Sequence, residues 1–139
     1  MRLAVFIVLL IAVSGCAGSK KAGSATAVLN GTWVPVQQEM GGRALPASFY
    51  QSQQMIISDS NYTVTAESVD RGVVSVHDNK IDIYGRDGVN KGKHFTAIYK
   101  YEHEQLTICY DLSGKDYPQA FDTKGKPLYF LSVFRKVKK

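Results

Sequence analysis

Cysteine is almost missing from this chain: only Cys16 and Cys109 occur, so no network of disulfides can hold it together. Tryptophan occurs once, at Trp33, and proline four times. The familiar catalytic signatures are missing too: no Gly-x-Ser-x-Gly elbow, no His-Glu-x-x-His, no glycine loop shaped for phosphate. The three histidines, His77, His94 and His103, are too scattered to pair as metal ligands on one strand face. Asp82, Tyr84 and Asp87 suggest no acid–base pair, and Gly85-Arg86-Asp87-Gly88 reads as a turn. These absences lead to the expectation of a non-enzyme without metal or cofactor. Acidic residues are the scarcer charge, 12 against 17 basic, for a net charge of +5.

After residue 13 no long apolar run occurs, which makes the one before it informative. Met1-Arg2 is a short positive start, and residues 3–13 are unbroken hydrophobe. That run suits a signal-peptide core and is too short for a bilayer span, which needs about 20 residues. It ends in Val13-Ser14-Gly15-Cys16, which resembles the lipobox of bacterial lipoproteins. The resemblance implies cleavage before Cys16, a diacylglycerol thioether on its sulfur and further acylation, such as palmitate, on its freed amine. Two or more chains anchor stably where one binds marginally. The expected organisation is a lipoprotein signal peptide over 1–15, the lipidated Cys16 and a flexible tether over 16–28, and one domain over 29–139. Localisation follows as the cell envelope, lipid-anchored to a bacterial membrane; in a Gram-negative cell this is the outer membrane, facing periplasm or surface. Export, with basic residues spread along the chain, argues against nucleic acid as a partner. Lipid on Cys16 leaves Cys109 without a mate, a small buried hydrophobe within Leu106-Thr107-Ile108-Cys109-Tyr110.

The domain reads as all β. Eight runs rich in Val, Ile, Thr, Tyr and Phe fit strands, over 31–39, 53–58, 61–67, 72–77, 80–84, 94–101, 104–110 and 128–136. Asp59-Ser60, Asp78-Asn79 and Glu102-His103 supply tight turns, and a short helical turn is expected at Pro46-Ala47-Ser48-Phe49-Tyr50. Connection lengths alternate. Short joins fall at one end of an up-and-down arrangement, while the long joins 40–52, 85–93 and 111–127, with 68–71, gather at the other. The result is a cup: an eight-stranded antiparallel barrel whose first and last strands meet at the closed end. There the tether and the basic tail Arg135-Lys136-Val137-Lys138-Lys139 lie together, facing the membrane, and the open end points away.

Gly31-Thr32-Trp33 looks like the Gly-x-Trp signature of the first lipocalin strand. Its usual companion is an Arg on the last strand, here Arg135, packed over the indole; the resemblance gives both residues a structural role. The longer likeness is to a lipocalin-like (calycin-type) domain family of bacterial proteins, abundant in planctomycetes and without established activity. It is carried by Gly31-Thr32-Trp33, a following Gly and Leu45-Pro46, Ala97-Ile98-Tyr99-Lys100-Tyr101 leading to residues 106–110, and Gly114-Lys115-Asp116-Tyr117-Pro118-Gln119-Ala120-Phe121. The chain is short beside the well-studied lipocalins and lacks their disulfide and middle motif.

The open-end loops combine cations with aromatics. Arg43, Arg86 and Lys93, with Phe49, Tyr50, Tyr117 and Phe121, are the candidate mouth, and Tyr99 and Phe130 the candidate interior. Such a site suits a small hydrophobic or amphipathic ligand, an anion among them. The chain is thus expected to be a monomeric carrier with a membrane partner through Cys16. The alternative is an envelope interaction module, its barrel packed solid and its loops touching another protein.

Overall fold

The computed structural model describes residues 26–139, so the signal segment, Cys16 and most of the tether lie outside the described residues. Within them the chain is all β apart from two single 3-10 turns, Ala27–Leu29 and Ala47–Phe49. The strands are β1 (Gly31–Met40), β2 (Arg43–Ala44), β3 (Gln54–Ser58), β4 (Asn61–Thr65), β5 (Val69–His77), β6 (Lys80–Asp87), β7 (His94–Glu102), β8 (Gln105–Asp111) and β9 (Tyr129–Lys136). From β3 onward each pairs antiparallel with the next. β1 pairs with β3 on one side and β9 on the other, which closes eight strands into a barrel. The two-residue β2 folds back on the end of β1 and is the one strand not foreseen. Its pairing uses Gly41 and Gly42, both at positive φ.

Hairpins β3–β4, β5–β6 and β7–β8 close one end. Asp59 and Asp78 take φ of 55°, and His103 and Glu104 take 51° and 61°, as tight hairpins between right-twisted strands require. The third turn sits one residue later than expected, because Glu102 pairs with Gln105. Gly85 to Asp87 continue β6 rather than turning, with Arg71 opposite Asp87.

Alternation sends Ile57, Tyr62, Val74, Ile81, Ile108 and Phe134 inward to one core. Trp33 anchors its closed end, fully buried. Its indole Nε1 donates to the Leu29 carbonyl at 2.7 Å, so the Ala27–Leu29 turn lies beneath the barrel like a stopper. Tyr101 meets the indole edge-on at 6.1 Å. The cation above the ring is Lys136, with Nζ 5.2 Å from its centroid, and not Arg135. Register decides this: Lys136 pairs with Trp33 and shares its inward parity, whereas Arg135 pairs with Val34 and faces solvent.

A second, smaller core lies outside the barrel. Ile98, Cys109 and Leu131 face outward, and Tyr117 and Phe121 of the 112–128 connection cover them. That connection folds down the outer wall instead of rimming the mouth. The Thr96 hydroxyl donates to the Asp116 carbonyl at 2.6 Å, and the Gly42 amide to Thr123 Oγ1 at 2.9 Å. The fully buried Thr123 hydroxyl donates in turn to the Glu39 carboxylate. Cys109 is the buried hydrophobe expected, and desolvation lifts its thiol to about 11, which leaves it unreactive at neutral pH.

Candidate functional site in the barrel interior

The inward side chains do not fill the barrel. A cavity of about 280 Å³ runs from Leu29 at the closed end, past Ile57, Ile83 and Phe95, to Ala66, Ser68 and Val89 at the open end. Its wall is chiefly hydrocarbon. Binding pockets start at roughly 300 Å³, and a dry apolar cavity of about 150 Å³ already takes up benzene. The space therefore suits one small molecule.

Several polar side chains interrupt that wall, and three of them are placed there by the backbone in ways that matter for the interior. The first is Asp70, 7% exposed. β5 begins at Val69, so Asp70 shares inward parity with Gly72 and Val74. Its carboxylate accepts from the Tyr62 hydroxyl at 3.2 Å, the Asn90 amide at 3.2 Å and Asn90 Nδ2 at 3.0 Å. Tyr62 reaches it by lying across Gly72, where a Cβ would stand 2.6 Å from the ring. Burial, then the charge and hydrogen bond of Asp70, hold the Tyr62 phenol well above its usual range, so it stays a donor. Asn90 brings the 88–93 connection over the mouth, packed so closely on Gly85 that a Cβ there would overlap the Asn90 carbonyl.

The second group is Gln38, 4% exposed. Strict alternation from Trp33 and Pro35 would turn Gln37 inward, but the register shift between Pro35 and Gln37 displaces Val36 and brings Gln38 in. Its Nε2 donates to Gln53 Oε1 at 2.9 Å and to Ser132 Oγ at 3.3 Å. The third is Tyr110, whose ring packs on Phe130 at 5.5 Å and whose hydroxyl makes no hydrogen bond among the described residues. Burial first, then the neighbouring Tyr62, raises this phenol as well. Among the described lining residues, Asp70 carries the only formal charge.

The sequence-derived candidates divide accordingly. Phe130 lines the cavity. Tyr99 points inward but packs against the core without lining the cavity. Phe49 is 64% exposed beside a shallow depression with Ser48 and Ser52. The Tyr50 hydroxyl donates to the Val36 carbonyl at 3.3 Å on the outer surface. Arg43, Arg86 and Lys93 are exposed and do not line the cavity. Tyr117 and Phe121 belong to the outer wall, where Lys80 sits over Tyr117 and Lys100 over Phe121. Sequence reasoning missed Gln38, Asp70, Asn90 and Tyr110 as interior polar groups.

A polar cluster also marks the outer wall. Asp82 accepts from the Tyr117 hydroxyl at 2.5 Å and lies 2.7 Å from His94 Nε2; His94 stacks on Tyr84. Burial pushes the Asp82 carboxyl up, but the hydrogen bonds of Tyr117 and His94 and the nearby His94 and His77 outweigh it and hold it below its ordinary value. The Asp82 bond in turn pushes Tyr117 up to about 12. Among the described residues no group of three His, Cys, Asp or Glu could hold a metal ion.

Comparison with known proteins adds no relative: no family model matches the chain, and neither does any curated protein.

Proposed function

We propose that this protein is a membrane-anchored, lipocalin-like carrier or binder of one small, predominantly apolar molecule held inside the barrel. The cavity of about 280 Å³ supports this reading most directly, because an interior that served only for stability would be filled by side chains. The ligand enters from the end where Ala66, Ser68 and Val89 line the opening. The anchor is the acylated Cys16, and the domain is held from its closed end. No residue set in the interior is assigned a reaction; the protein binds and releases. The lipocalin-like resemblance supports the same reading.

A second reading, an envelope interaction module, draws on one observation. Val89, Phe49 and Leu128 are the most exposed large hydrophobes among the described residues, at 68%, 64% and 53%; Val89 and Phe49 sit on open-end connections and Leu128 ends the 112–128 connection. It expects a solid barrel, and the cavity favours the carrier.

Native mass spectrometry of the full chain, released from envelope membranes in mild detergent, tests the proposal. The expected result is a bound small-molecule mass that disappears in Val64→Trp, which fills the cavity. A mass unaffected by that change, or none after incubation with envelope lipid extract, would count against the carrier. Cys16→Ser is expected to abolish incorporation of a palmitate analogue and release the protein from membranes.

A further inference from the structure

We propose that the ligand is an uncharged, mostly hydrocarbon molecule bearing one hydrogen-bond acceptor, and that Tyr110 donates its hydroxyl hydrogen to that acceptor. The inference rests on the carrier reading and narrows it. Charge is the first constraint. The lining contains no Lys, Arg or His, and Asp70 is its one charged group. A carboxylate or phosphate ligand would lose its hydration and meet a like charge with no cation to compensate. The interior is therefore closed to anions, contrary to what the basic loops suggest in sequence.

Commitment of the polar groups is the second constraint. Asp70 already accepts three hydrogens, one from Tyr62 and two from Asn90. Gln38 donates to both Gln53 and Ser132, and Gln53 donates to the Phe49 carbonyl. Gln54 and Ser68 also line the cavity without a side-chain hydrogen bond among the described residues, but both are exposed; Tyr110 differs, because its hydroxyl has no partner there although its ring packs against the core and lines the cavity. Nor is the hydroxyl sealed off: no fully buried side-chain polar atom among the described residues lacks a partner, so this one remains reachable. Burial keeps the phenol protonated, hence a donor, throughout the physiological range. The ring packs tilted against Phe130, 5.5 Å between centroids, a contact that favours keeping the donor in place before any ligand arrives. A ketone, aldehyde, ether, ester or alcohol oxygen on a compact hydrocarbon frame fits this arrangement.

Four nearly isosteric probes test it against the full chain by titration with ligand-observed NMR: isopropylbenzene, acetophenone, benzoate and 1-phenylethylamine. Tyr110→Phe keeps the ring and removes only the donor. The expected result is that acetophenone binds about fivefold more weakly to Tyr110→Phe, the loss of one neutral hydrogen bond, while isopropylbenzene binds both proteins equally. Benzoate is expected not to bind. Equal effects of the substitution on acetophenone and isopropylbenzene would overturn the donor role of Tyr110 and leave the carrier standing. Tighter binding of 1-phenylethylamine than of acetophenone would overturn it in favour of Asp70 as the reading group. Failure of all four probes to bind would remove the carrier reading, and this inference with it.

Discussion

Gly72 shows how one residue sets the interior. Its missing side chain lets the Tyr62 ring cross β5 and aim its hydroxyl at Asp70, and a Cβ there would also stand 2.1 Å from the Tyr84 carbonyl oxygen. The second contact is with backbone and cannot be relieved by a rotamer change. Gly72→Ala is therefore expected to destabilise the domain by about 1–3 kcal/mol, read as a lower urea midpoint at unchanged slope. An unchanged midpoint would show that the sheet yields there. At the closed end, Lys136 and Arg135 make a matched pair of tests. Lys136 lies over Trp33, so Lys136→Ala is expected to cost about 0.5–1 kcal/mol, whereas Arg135→Ala should stay within about 0.5 kcal/mol of the parent. The opposite ranking would restore the arginine to the indole.

Among the elements, the 112–128 connection departs most from a simple cup. Its residues cover Ile98, Cys109 and Leu131, and its Tyr117 is tied to Asp82. Because the folded Asp82 carboxyl lies below its unfolded value of about 3.9, its contribution is present above that value and fades as pH falls through the folded one. Acidification below about pH 4 is thus expected to loosen this connection before the barrel. Hydrogen exchange should show lost protection at residues 112–128 while β5 and β6 stay protected, and Tyr117→Phe should shift that loss to neutral pH. Simultaneous loss everywhere would deny the connection a separate latch. The strands and tight turns were legible in sequence because β-branched and aromatic runs alternate between turn residues. The path of this connection was not, although a signal existed. Ala97-Ile98-Tyr99 and Ile108-Cys109-Tyr110 are apolar on both faces, and a wall apolar on its outside needs a cover. Parity hid the rest. A one-residue bulge at Val36 turned Gln38 inward, an early start to β5 did the same for Asp70, and a single step separated Arg135 from Lys136.

Taken whole, the molecule has two unlike ends. The chain enters at Gly31 and β9 finishes at Lys136 beside it, at the end anchored by Trp33, while the cavity opens among the connections opposite. On the proposed reading, a tether attached at the closed end would leave the open end free to take up and release a ligand. That division of labour depends on the interior being a dry, apolar space and not a loosely packed core. Crystals of the domain under xenon pressure test this most directly, since xenon enters apolar cavities without needing a chemical handle. The account predicts xenon density within the barrel between Val64, Ile83 and Phe95, lost in Val64→Trp. Side chains collapsed across that space, with no xenon inside the barrel, would contradict it.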